Sequence, residues 1–113
     1  MGWHSKDPAR MDMMMTAWAA HCPHGSLPRV LGAEMVAAGF ETPNIATHPI
    51  INTRFHAEAY SYRLARLMHS YAVNAGVAEK DAAAWFDELA RLDAAGRYYF
   101  ASTRMIFTAT RPA

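Results

Sequence analysis

The final stretch of the chain, Arg97 to Thr110, constrains the fold most. It is aromatic and β-branched along its length, so it reads as a long strand. Around Met105, Ile106 and Phe107 both faces are apolar, which calls for cover on both sides and for neighbouring strands. One other segment reads as a strand. Thr42 to Asn52 carries Ile45, Thr47, Ile50 and Ile51, bracketed by Pro43 and Pro49. This strand starts after the first proline and frays at the second, because a proline cannot sit within a central ladder. Two strands alone form only a marginal sheet in water, so the sheet has to be completed by something else.

The rest reads as helix. Asp7-Pro8 is a helix start, with Asp as N-cap and Pro at the first helical position. The Met- and Ala-rich segment from Ala9 to about Ala20 follows and breaks at His21-Cys22-Pro23-His24-Gly25. Ser26-Leu27-Pro28 opens a second helix with Leu27, Val30, Leu31, Met35 and Ala38 at helical spacing. Gly39 is its C′ residue and Phe40 the returning hydrophobic contact. A third helix spans about Ala57 to Asn74, with Tyr60, Leu64, Leu67, Met68 and Tyr71 as its apolar stripe. A fourth runs from about Ala78 to Ala95, buries Ala82, Trp85, Phe86, Leu89 and Leu92, and closes at Gly96. The order is helix, helix, strand, helix, helix, strand, an α+β arrangement when the chain is taken alone.

Several function classes are excluded early. At 113 residues the chain fits one domain. A formal charge of +1 leaves no electrostatic footprint for nucleic acid. No apolar run approaches the ~20 residues of a membrane helix, and nothing near Met1 reads as a signal peptide. The lone Cys22 excludes an internal disulfide, so a cytoplasmic setting is expected. The closest glycines, Gly25 to Gly32 and Gly32 to Gly39, stand seven apart, so neither a dinucleotide nor a phosphate loop can be written.

Local chemistry is sparse. His21-x-x-His24 with Cys22 could be half of a metal site, but Pro23 and Gly25 make it a turn and further ligands lack local spacing, so no metal is expected. His48, His56 and His69 could each act as a general base, since histidine titrates near neutrality, or sit as structural side chains. The cluster Met11, Met13, Met14 and Met15 suits a ligand- or partner-facing surface as well as plain packing. Arg104, inside the last strand, needs a counter-charge such as Asp87, Glu88 or an acid on another chain, unless it lies at a solvated edge.

The order of several short motifs goes further. Trp3-His4-Ser5-x-Asp7-Pro8-x-Arg10-Met11 leads into a helix; Leu27-Pro28-Arg29-Val30-Leu31 and Ala37-Ala38-Gly39-Phe40 precede a strand. Trp85-Phe86-x-Glu88-Leu89, Gly96-Arg97-Tyr98-Tyr99-Phe100 and a last strand ending at Arg111-Pro112 complete the series. Together these resemble the C-terminal part of class I S-adenosylmethionine-dependent methyltransferases that act on small molecules. The resemblance implies that the two strands are the sixth and seventh of a Rossmann-like α/β sheet, the seventh inserted antiparallel beside the fifth. The N-terminal half, with its glycine loop and ribose-binding acid, has no counterpart here. Residues 1–113 would thus be one incomplete domain whose sheet another chain completes.

The function implied is the substrate-side subunit of a split, heteromeric methyltransferase. S-adenosylmethionine would be bound mainly by the N-terminal partner subunit, and this chain would contribute no donor-binding residue. Trp3, His4, Tyr60, Tyr62, His69 and Tyr99 would line the pocket of an apolar or aromatic acceptor, with no catalytic residue assigned. Tyr60 and Tyr71 also fit ordinary core. Two alternatives stand beside this reading: a non-enzymatic homodimeric module that binds a ligand or regulates a methyltransferase, and a free-standing cyclase or isomerase using one histidine.

Overall fold

A computed structural model describes residues 1–22 and 27–112. Its described residues form four helices and one three-stranded sheet: β1 (Gly2–Trp3), α1 (Pro8–Ala19), α2 (Leu27–Ala37), β2 (Asn44–Asn52), α3 (Tyr60–Asn74), α4 (Glu79–Ala94) and β3 (Phe100–Thr108). The strand order is β1-β3-β2, and β3 is antiparallel to both neighbours. The fold is therefore mixed α+β with an antiparallel sheet. The two-strand expectation is corrected by β1, which is too short to carry a periodic signal and pairs Gly2 with Ala101 and Trp3 with Phe100.

Caps place the start of α1 and the end of α2 where the sequence puts them, whereas α3 starts at Tyr60 and not at Ala57, and Ser26, the expected cap of α2, lies outside the described residues. The Asp7 carboxylate accepts from the Arg10 amide at 3.0 Å, and Pro8 opens α1. At the end of α2 the Phe40 amide donates to Met35 O and the Gly39 amide to Val36 O, both at 3.0 Å. That is the Schellman pattern, and it needs Gly39 at φ 102°.

The core lies between β1, the first residues of β3, and α1, α3 and α4. Met14, Met68, Trp85, Leu89 and Phe100 are fully enclosed there. Trp3 packs edge-on to Trp85 with ring centroids 5.5 Å apart and tilts against Phe100 at 4.7 Å. The expected stripe on α3 needs correction. Tyr60 and Leu67 are exposed, and the buried face is Ser61, Ala65, Met68 and Ala72. Met68 is buried as expected and Leu64 and Tyr71 are half-buried, while the small residues Ser61, Ala65 and Ala72 let α3 approach its neighbours closely. On α4, Ala82, Trp85, Leu89 and Leu92 are buried as expected, with Phe86 half-buried.

Side chains alternate along a strand, so Phe100 and Phe107 face opposite sides of β3. The three-helix layer covers the Phe100 side at the start of the strand. α2 lies on the other side at the far end, where Gly32 sits beside Pro43 and Phe107. The expected core stripe of α2 contains no buried residue, because among the described residues α2 packs on the sheet and its other flanks are exposed. Ile45, Ile51, Met105 and Ile106 are exposed along the sheet. The radius of gyration is 17.2 Å, against about 13 Å for a compact chain of this length.

Candidate functional site

Among the described residues Glu88 is the one buried acid, on the same face of α4 as Trp85 and Leu92. Its Oε1 accepts from Ser5 Oγ at 2.7 Å and from the Lys6 amide at 2.8 Å, and Oε2 accepts from Arg10 Nη2 at 2.7 Å. Burial pushes the Glu88 carboxyl up, but these bonds and the Arg10 charge outweigh it, so the group is held below the usual carboxylate range. The cluster clasps the entry to α1 onto α4. It also settles which acid serves which cation: Glu88 belongs to Arg10, and Arg104 forms no ion pair with Asp87 or Glu88.

A second polar network runs through the core. Trp3 Nε1 donates to Tyr98 Oη at 2.9 Å, and Tyr98 Oη also bonds Ser61 Oγ. The Ser61 amide donates to Asn52 Oδ1 at 2.8 Å, tying α3 to the end of β2. Burial pushes the Tyr98 phenol up, despite these bonds. Asp93 joins the same region by accepting from the Phe55 amide at 3.0 Å and Arg54 Nε at 2.9 Å. Burial raises its pKa, and these two bonds with the Arg54 and His56 charges bring it below the ordinary value.

An open groove of about 290 Å³ lies between α3 and α4, lined by Arg66, His69, Ser70, Ala83, Phe86 and Asp87. Phe86 gives it a flat apolar wall, with Tyr62 at 5.7 Å and His69 at 6.3 Å between ring centroids. His69 Nε2 lies 3.7 Å from Glu79 Oε1 at its end. Such a groove can hold a small ring on Phe86 and orient it through Arg66, Ser70 and Asp87. Its volume is at the small end for ligand sites.

The six residues expected to line one pocket separate into three pairs. Tyr62 and His69 meet at Phe86. Trp3 and Tyr60 flank Phe100, Tyr60 at 6.0 Å. Trp3 is buried and fully engaged, so it acts as core and not as a pocket wall. His4 and Tyr99 are exposed neighbours, the His4 amide donating to Tyr99 O at 3.1 Å. Of the other candidates, His48 is exposed on β2 and His56 is exposed in the connection between β2 and α3. Met11 and Met14 are core, and Met11 Sδ accepts from Trp85 Nε1 at 3.3 Å. His24, half of the candidate metal pair, lies outside the described residues; His21 stacks on Trp18 at 3.8 Å. Among the described residues no group of three or more His, Cys, Asp or Glu has metal-binding geometry, and no helix is long and apolar enough to cross a membrane.

Arg66, Asp87 and the Glu88 clasp were not singled out as a site from the sequence. Glu88 had a readable signal, since an acid at the spacing of Trp85 and Leu92 sits on an apolar face and needs a partner. Comparison with known proteins finds no matching family model, no matching curated protein and no matching solved structure.

Proposed function

We propose that the chain is the substrate-side subunit of a split S-adenosylmethionine-dependent methyltransferase, acting on a small apolar or aromatic acceptor. The observation that supports this reading is the sheet. Its order is β1-β3-β2 with β3 antiparallel to both neighbours, and β1 reaches only the first two residues of β3. A last strand inserted antiparallel between two others fits the seventh strand that the methyltransferase resemblance implies. The partner supplies the glycine loop and binds the methyl donor. This chain supplies the groove at Phe86, Tyr62 and His69 and completes the sheet. Methyl transfer then depends on aligning the acceptor with the sulfonium methyl, a matter of positioning.

The test is co-expression with a glycine-loop methyltransferase half, followed by a methyl-transfer assay. Activity is expected from the pair and lost in the Phe86→Ala variant, with no tight donor binding by this chain alone in calorimetry. Tight donor binding by the isolated chain contradicts the proposal. One observation favours a second reading. The expected pocket residues do not converge, which suits a non-enzymatic module that pairs with itself. A stable dimer by light scattering, with no gain from co-expression, would select that reading.

A further inference from the structure

Only residues 75–78 join α3 to α4, so the two helices run antiparallel side by side. Residues 66, 69 and 70 share one face of α3, and residues 83, 86 and 87 repeat the same spacing on α4. The groove lies where these two faces meet. It stays open because Ala83 is small where Phe86, one turn on, is bulky. His69 and Ser70 stand at the end near the connection, where Glu79 Oε1 lies 3.7 Å from His69 Nε2. Asp87 stands toward the opposite end, on the wall across from Arg66.

The charges on these walls do not neutralise each other. α3 contains no acid, so Arg66 has no counter-charge on its own helix. Asp87 has Arg91 one turn along α4, yet among the described residues neither Arg66 nor Asp87 takes part in an ion pair. Its neighbour Glu88 is already engaged by Ser5, Lys6 and Arg10. Arg63 borders the next hollow along α3 together with Arg66, which adds positive charge to that wall. One wall therefore calls for an anion and the other for a hydrogen-bond donor, with the aromatic surface of Phe86 between them. A guanidinium holds a carboxylate through two parallel bonds, and a carboxylate accepts from an amine or a hydroxyl. A volume of about 290 Å³ is at the lower limit for ligand sites and suits a single ring.

We infer that the groove binds a one-ring aromatic acid that carries an amine or hydroxyl at its other end. The carboxylate sits on Arg66, the ring on Phe86 above Ala83, and the amine or hydroxyl on Asp87. The inference rests on the reading of this groove as the acceptor site for its place in catalysis, but not for binding. It makes the acceptor an acid-bearing amine or phenol and not a plain apolar ring.

The probe that tests it on the full chain is para-(aminomethyl)benzoate. Each of its relatives lacks one feature: para-toluate the amine, para-methylbenzylamine the carboxylate, and trans-para-(aminomethyl)cyclohexanecarboxylate the aromatic ring. Binding is followed by NMR of the backbone amides. The probe is expected to shift Arg66, Ser70, Ala83 and Asp87, and each relative to bind roughly fivefold more weakly. Arg66→Gln should erase the advantage of the probe over para-methylbenzylamine, and Asp87→Asn its advantage over para-toluate. Both positions are exposed, so these variants keep the fold. Ala83→Leu fills the groove and should abolish binding; should that variant fail to fold, the two exposed variants decide. Equal binding of all the compounds, shifts away from α3 and α4, no binding, or advantages unchanged in the variants overturns the inference. Binding in the expected pattern without methyl transfer by any co-expressed pair would sink the methyltransferase reading and leave the site standing. Methyl transfer by a pair to plain rings, with no gain from carboxylate or amine, would do the reverse.

Discussion

Phe100 and Met105 lie on the same strand in opposite surroundings. Phe100 is enclosed by Trp3, Tyr60 and the helical layer, and Met105 is 48% exposed. Around the first, helices α1, α3 and α4 form a closed core with satisfied polar networks. Around the second, α2 and the far ends of β2 and β3 present apolar side chains to water. A chain can keep such an open half only if the closed half folds by itself and the open half is covered in use.

The largest expected effect is therefore at the centre of the closed half. Trp85→Ala removes the enclosed ring that packs on Trp3 and should cost about 3–5 kcal/mol in urea unfolding. Next comes the clasp. Glu88→Gln keeps the shape but loses the charge-assisted bonds from Arg10 and Lys6, and should cost about 2–3 kcal/mol. The same carboxylate sets the acid limit. Glu88 and Asp93 both have folded pKa values below their ordinary ones. Their contribution is complete above the unfolded carboxyl range near pH ~4 and is lost as pH falls through the folded values. The thermal midpoint should hold from neutrality to about pH 5 and drop below about pH 4, and Glu88→Gln should flatten that drop.

Smaller still, Tyr98→Phe strands Trp3 Nε1 and Ser61 Oγ in the core and should cost about 1–2 kcal/mol by the same measurement. The comparison is sharpest at its other end. Ile51 is 60% exposed, so Ile51→Ser should change stability by no more than about 0.5 kcal/mol. A cost comparable to Tyr98→Phe would mean that the open face is covered in solution.

Much of this division was legible in the sequence. Asp7-Pro8 and Gly39 placed helix ends, and the two-sided apolar character of Met105 to Phe107 marked a strand in need of neighbours. Pro49 suggested that the strand frays there, but β2 runs through it to Asn52, because Pro49 stands opposite Thr103 in a pair whose backbone groups point away from each other. What failed depended on distance in sequence. Arg10 reaches Glu88 across 78 positions, and no local pattern distinguishes that pairing from Arg104 with Glu88. β1 is two residues long and has no period to read. The stripe on α3 was misplaced because large apolar residues suggested the buried face, whereas close helix packing selected Ser61, Ala65 and Ala72. The six expected pocket residues do not come together within this chain for a related reason: Trp3 is as aromatic as a pocket wall, but its indole N–H is satisfied inside the core.

Amide hydrogen exchange on the isolated chain tests the central claim most directly. The account predicts slow exchange at Ser102, Arg104 and Ile106, whose amides face β2, and fast exchange at Thr103, Met105 and Phe107, whose amides face away from β2. Uniform protection at all six amides in a monomer would contradict it, because that side of β3 would then already be covered.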